Sequence, residues 1–156
     1  MAKKKRKKQA KAPPYTQFTL KWLREECNFT DVDVAEKDIR TGRISFKRDL
    51  FNFIDVVAIT PDGILAVQTT SVGGLRARVK KIREGTEDMP HIPNTAAAWL
   101  AAGGKIWAVG WEKGVKRGTN SPYWLPRVVE FVPVTRHTRV YMKQRELSHL
   151  PRQEHL

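Results

Sequence analysis

Residues 48–81, RDLFNFIDVVAITPDGILAVQTTSVGGLRARVKK, decide how the rest of the chain is read. Asp55 opens an apolar run, Val56-Val57-Ala58-Ile59. Pro61-Asp62-Gly63 follows as a turn, because proline pre-sets φ and glycine tolerates positive φ. Ile64-Leu65-Ala66-Val67 is the return strand, and it ends in Gln68-Thr69-Thr70. Side chains alternate along a strand, so Gln68 and Thr70 share one face while Thr69 points to the other. Closed as a hairpin, the segment brings Asp55 near Gln68 and Thr70. Gly73-Gly74 is expected to break the chain before a short basic helix over residues 75–83. Leu75, Val79 and Ile82 recur at i, i+4 and i+7, which defines an inward face and leaves Arg76, Arg78, Lys80, Lys81 and Arg83 around it.

Working outward, Thr16 can cap a helix that runs to about Cys27, with Leu20, Leu23 and Cys27 at helical spacing. Val32-Asp33-Val34-Ala35 alternates as a first strand, and Glu36 stands at its end. Residues 38–42 read as a loop, and Arg43-Ile44-Ser45-Phe46 as a short strand or an extended lead-in. Beyond the basic helix, Asn94 or Thr95 can cap a helix over residues 96–102 that Gly103-Gly104 closes. Residues 105–111 form a strong strand. A basic loop follows over residues 113–122, and a last strand covers residues 123–134. Pro126 demotes that strand to an edge. Residues 140–147 read as a loose helix. The resulting order, α-β-β-β-α-α-β-β, predicts an antiparallel meander of the first three strands. A helical crossover then permits parallel pairing. The fold class expected is α/β, a single domain with a mixed central β-sheet flanked by helices. Its boundaries are a disordered basic arm over 1–15, the domain over 16–134 and a basic tail over 135–156.

The length of 156 residues suits one domain with a true core, and five tryptophans support a globular fold. The formal net charge is +13. Residues 1–11 contain Lys3, Lys4, Lys5, Arg6, Lys7, Lys8 and Lys11 and no acid, so seven of those charges lie in the arm and six in the remainder. This balance favours a polyanionic partner through counterion release, and nucleic acid is the expected one. The only cysteine, Cys27, excludes an intrachain disulfide and a zinc site built on paired cysteines. No run of about 18 apolar residues is present, so no membrane-spanning helix is expected. The lysine run leads into Ala12-Pro13-Pro14-Tyr15 rather than an apolar stretch, unlike a secretory signal. A cytoplasmic location is expected in a bacterial or phage-infected cell, and a nuclear one in a eukaryote.

An Asp before an apolar strand, a turn, and an acid-x-Lys at the end of the next strand mark the PD-(D/E)XK nucleases. This segment resembles that family. The likeness in element order extends over residues 16–134, and its specific part is residues 55–81. The family includes restriction endonucleases and Holliday-junction resolvases, and the wider string is similar to small nuclease-like proteins of phages and mobile elements. The resemblance implies a restriction-endonuclease-like fold and Mg²⁺- or Mn²⁺-dependent hydrolysis of phosphodiester bonds. Asp55 matches the family's Asp. Gln68 matches its (D/E) position, where some restriction endonucleases of the fold also carry Gln. Thr70 stands where the family has Lys, so the missing cation would come from Lys81, Lys80 or Arg78.

Hydrolysis of a phosphodiester needs an activated water and charge stabilisation at phosphorus, which hard cations held by oxygen ligands provide. Asp55, Gln68 and Glu36 are the candidate ligands. Glu25 or Glu26 on the first helix and Asp49 are further acids, each also readable as an ordinary surface carboxylate. Lys3, Lys4, Lys5, Arg6, Lys7, Lys8, Arg76, Arg78 and Lys80 are the candidate contacts to nucleic acid, with double-stranded or branched DNA the expected substrate. A homodimer would suit a two-fold symmetric junction. Trp107 and Trp111 read as core, and Trp124 as an exposed ring beside the basic loop. The competing reading is a nucleic-acid-binding or structural protein that keeps the fold and has lost the lysine.

Overall fold

In the computed structural model, residues 13–115, 118, 122–136 and 139–147 are described. Six strands make one sheet in the order β1 (Val32–Val34), β4 (Val56–Thr60), β5 (Gly63–Ser71), β6 (Lys105–Val115), β7 (Pro122–Arg136) and β8 (Arg139–Leu147). The β1, β4 and β5 strands form the expected antiparallel meander. The crossover through α2 (Val72–Glu84) and α3 (Ile92–Ala101) makes β5 and β6 parallel, and the remaining pairs are antiparallel. The class is therefore α/β with a mixed central sheet.

Alternation along the strands divides the core between the two faces. Val56, Val67 and Val109 face α1 (Tyr15–Glu25), where they meet Trp22, Leu23 and Trp111. Ala66, Ile106 and Ala108 face the other way, against Leu75, Val79 and Ile82 of α2 and Ile92, Ala96 and Leu100 of α3. The three apolar positions read from the sequence of α2 are its buried residues.

Several expectations are corrected. Glu36 does not close the first strand. It opens β2 (Glu36–Thr41), which pairs with β3 (Ile44–Asp49) in a separate two-stranded sheet inserted between β1 and β4. Gly73 and Gly74 do not break the chain but lie in the first turn of α2. Ser71 is its N-cap, accepting from the Gly74 amide at 3.1 Å. Pro14, rather than Thr16, precedes the first turn of α1, without a side-chain cap. The third helix begins at Ile92, one turn before Ala96, because Pro93 suits its first turn.

The segment over residues 140–147 is a strand, not a helix. It is held by cross-strand pairs such as Arg145 with Glu130 at 2.7 Å and Arg127 with Glu146 at 2.9 Å. The sheet thus continues into the stretch read as a tail. With β8 present, β7 is not the edge strand. Among the described residues its pairing with β8 runs from Val128 onward, so Pro126 is flanked there by β6, a local edge that tolerates a proline.

Candidate metal centre

Asp55 sits where β1, β4 and β5 meet. Its amide donates to the Val67 carbonyl at 2.9 Å, and its carbonyl accepts from the Ala35 amide at 2.8 Å, so its backbone is held from both sides. The carboxylate is buried, and its Oδ2 accepts from Gln68 Nε2 and from the Thr69 amide, both at 2.7 Å. Thr69 points to the opposite face of the sheet, as alternation requires, where its hydroxyl meets that of Thr19 on α1 at 2.8 Å.

The β2–β3 hairpin delivers two more acids. Glu36 and Asp49 are register partners on its last rung, at the place where the chain leaves β1 and returns toward β4. Carboxylate oxygens of Glu36, Asp49 and Asp55 lie within 4.8 Å of one another. Three acids this close repel each other, and burial favours a neutral form. Burial first, and then Asp49 by its charge and a hydrogen bond, push the Asp55 carboxyl up to about 7, against the stabilising bonds from Thr69 and Gln68.

Cations stand on two sides. Lys47 Nζ lies 3.1 Å from Glu36 Oε2. On α2, burial and then the neighbouring Arg78 pull the Lys81 ammonium below its ordinary pKa, while the charges of Asp49 and Asp55 hold it up. Arg78 lines the same cleft of about 440 Å³ as Glu36, Asp49, Asp55 and Gln68, and Pro13, Pro14 and Tyr15 form part of its rim.

The donor set fits a hard divalent cation. It consists of three carboxylates and an amide oxygen, the ligands that Mg²⁺ and Mn²⁺ prefer. Gln68 supplies the independent sign. Its side chain is 2% exposed, its Nε2 is engaged by Asp55, and its Oε1 has no hydrogen-bond partner among the described residues. A buried acceptor left without a donor costs about 1–3 kcal/mol, which coordination would recover.

Of the residues named from the sequence, Asp55, Gln68 and Glu36 come together, with Lys81 within electrostatic reach of Asp49 and Asp55. Thr70 does not line the cleft; its Oγ1 lies beneath Gly74, leaving no room there for a β-carbon. Arg76 and Lys80 are exposed on α2, and Lys80 lies 3.9 Å from Glu84. Lys3, Lys4, Lys5, Arg6, Lys7 and Lys8 lie outside the described residues.

Glu25 and Glu26 are not in the acidic cluster. The start of α1 lines the cleft, so its C-terminal end is about 15 Å away along the axis. Trp124 is not a free ring; it is half-buried against Phe18 and Tyr15, with centroids 5.1 and 6.0 Å away. Asp49, a further acid in the sequence reading, joins the cluster. The signal that finds it is symmetry: about the turn at Gly42, Glu36 and Asp49 fall on one rung. No family model, curated protein or solved structure matches this chain.

Proposed function

We propose that this chain is a metal-dependent nuclease-like protein that hydrolyses phosphodiester bonds in DNA. The observation that carries the reading is the convergence of Glu36, Asp49 and Asp55 beside Gln68 Oε1, which has no partner among the described residues, with Arg78 on the cleft wall and Lys81 within electrostatic reach of Asp49 and Asp55. Bound Mg²⁺ or Mn²⁺ would supply charge neutralisation at phosphorus and acidify a water. Asp55, Asp49, Glu36 and Gln68 would hold it. Arg78, on the cleft wall, is placed to bind a phosphate oxygen. Lys81, its proton held less firmly than usual, is suited to orient the attacking water or take up charge at the phosphate. It would stand in for the lysine that Thr70 replaces in the family pattern. The strongly basic chain supports a nucleic-acid substrate. Thr70 also supports a second reading, a DNA-binding relative that no longer cuts.

Plasmid and branched DNA titrated with Mg²⁺ and Mn²⁺ separate the two. Asp55→Asn is expected to abolish cleavage while the protein stays folded. Lys81→Ala is expected to lower the cleavage rate by about 10²-fold, the usual weight of one proton-handling group, with DNA affinity changed far less. Wild-type protein that binds DNA and cuts it with neither metal would establish the second reading.

A further inference from the structure

The β2–β3 hairpin has two faces of opposite chemistry. Rungs Glu36/Asp49, Asp38/Lys47 and Arg40/Ser45 share one face, whose base belongs to the acidic cluster. Rungs Lys37/Arg48, Ile39/Phe46 and Thr41/Ile44 share the other. Beyond its Lys37/Arg48 rung that second face is apolar and open toward the tip: Ile44 is 69% and Phe46 49% exposed. A two-stranded hairpin is marginal by itself, and exposing its largest apolar side chains lowers its stability further. Charge indicates the occupant. From Ile39 to Arg48 the hairpin carries Arg40, Arg43, Lys47 and Arg48 and no acid; Lys47 pairs with Glu36 and Arg48 bonds Asn52 toward the base, while Arg40 and Arg43 stand nearest the tip. An apolar tip flanked by the cations Arg40 and Arg43 fits stacked bases edged by phosphates, the polyanion that the net charge of the whole chain favours.

We propose that this hairpin is a pin that separates DNA strands, and that the substrate is therefore forked or branched DNA. The inference rests on the nuclease reading for where the cut strand runs. That strand passes along the acid-bearing face, toward the metal ligands. The first intact base pair of the duplex stacks against Phe46 and Ile44 on the opposite face. The Ile39/Phe46 rung lies three residues from the Glu36/Asp49 rung. At ~3.4 Å per residue that is roughly 10 Å, or about three base steps. Cleavage should therefore fall about three nucleotides from the branch point.

The test uses the full chain in Ca²⁺ or chelator, with a forked duplex carrying 2-aminopurine at successive positions inside the paired arm. Wild-type protein is expected to bind the fork at least about tenfold more tightly than the blunt duplex, and to brighten the probe next to the branch. Phe46→Ala and, separately, Ile44→Asp are expected to bring that preference close to one and to remove the brightening. Both positions are largely exposed, and thermal melting verifies that the variants fold. A wild type without fork preference overturns the pin, as does a preference that survives both substitutions. Variants that change only the sedimentation of the protein also overturn it, and make this face a contact between copies. The two readings fail separately. Fork preference without cutting in Mg²⁺ or Mn²⁺ keeps the pin and removes the nuclease, whereas cutting without fork preference does the reverse.

Discussion

Asp55 concentrates the conflict that makes the site useful. A buried carboxylate beside Asp49 is costly when charged, and Thr69 and Gln68 only partly offset this. Its folded pKa of about 7 lies above the ordinary 3.8, so the native state binds the extra proton. In chelator, stability should therefore fall as pH rises from about 4 to about 7 and be level above that, by at most about 4 kcal/mol. Glu36, Asp49 and Lys81 face the same group, so the informative quantity is the difference between wild type and Asp55→Asn. In thermal melts across this range, that difference should grow in favour of the variant as pH rises. Mg²⁺ at pH 8 should then stabilise wild type and leave the variant unchanged, because the cation replaces the lost proton. Parallel melting curves for the two proteins would mean that Asp55 carries no such conflict. The carboxylate itself was legible in the sequence as a polar residue opening an apolar strand opposite Gln68. Glu36 was legible as a candidate ligand and Asp49 only as a further acid; that the two meet on one rung beside Asp55 was not, because this depends on the register of a hairpin that was not expected as such.

Helix α2 carries Arg78 and Lys81, so its seat on the sheet sets their reach. Two glycines make that seat. A β-carbon on Gly74 would lie 2.5 Å from Thr70 Oγ1, and one on Gly110 of β6 would lie 3.0 Å from Leu75 Cβ and 3.1 Å from Val72 Cα. This is why Gly73-Gly74 misleads as a chain break. Glycine punctuates a sequence when it supplies a turn, but at Gly74 it makes room for the Thr70 side chain as the strand passes into the helix, and at Gly110 for a helix distant in sequence. The strand at residues 139–147 was missed for a related reason, since its conformation is decided by the neighbouring β7 rather than by its own periodicity. Gly110→Ala tests the seat. Leu75 can shift, but the Val72 backbone cannot without moving the helix. A loss of about 1–3 kcal/mol in urea unfolding is expected, of the size that overpacking produces. Cleavage should drop at conditions where the variant is still fully folded, because a displaced helix misplaces both cations. An unchanged urea midpoint together with an unchanged rate would show that α2 has slack at this contact.

Across the whole molecule, the layers were legible because burial follows simple patterns: alternation at the start of β4, a continuous buried run from Leu65 to Thr69 in β5, which is covered on both faces, and i, i+4, i+7 in α2. The β2–β3 hairpin was not, because its residues are largely exposed and give no such signal. Charge is distributed on this frame with a direction. Among the described residues no helix is long and apolar enough to cross a membrane. The chain's formal net charge of +13 includes seven cations and no acid in residues 1–11. Pro13 and Pro14, which join that stretch to α1, lie on the rim of the acidic cleft. The point where that stretch joins the described chain therefore lies beside the groups expected to hold the metal. Deleting residues 1–11 removes those seven charges and no buried apolar residue of the described core. The truncated protein should keep its melting temperature. Its DNA affinity should depend less on salt, with the slope of log K against log salt smaller by as much as about six if every cation meets a phosphate of duplex DNA. The fork preference should persist, since phosphate contacts position a protein without reading structure at the branch. A salt slope equal to that of the full chain would place these lysines away from the nucleic acid, and the cleft and hairpin alone would then have to account for binding.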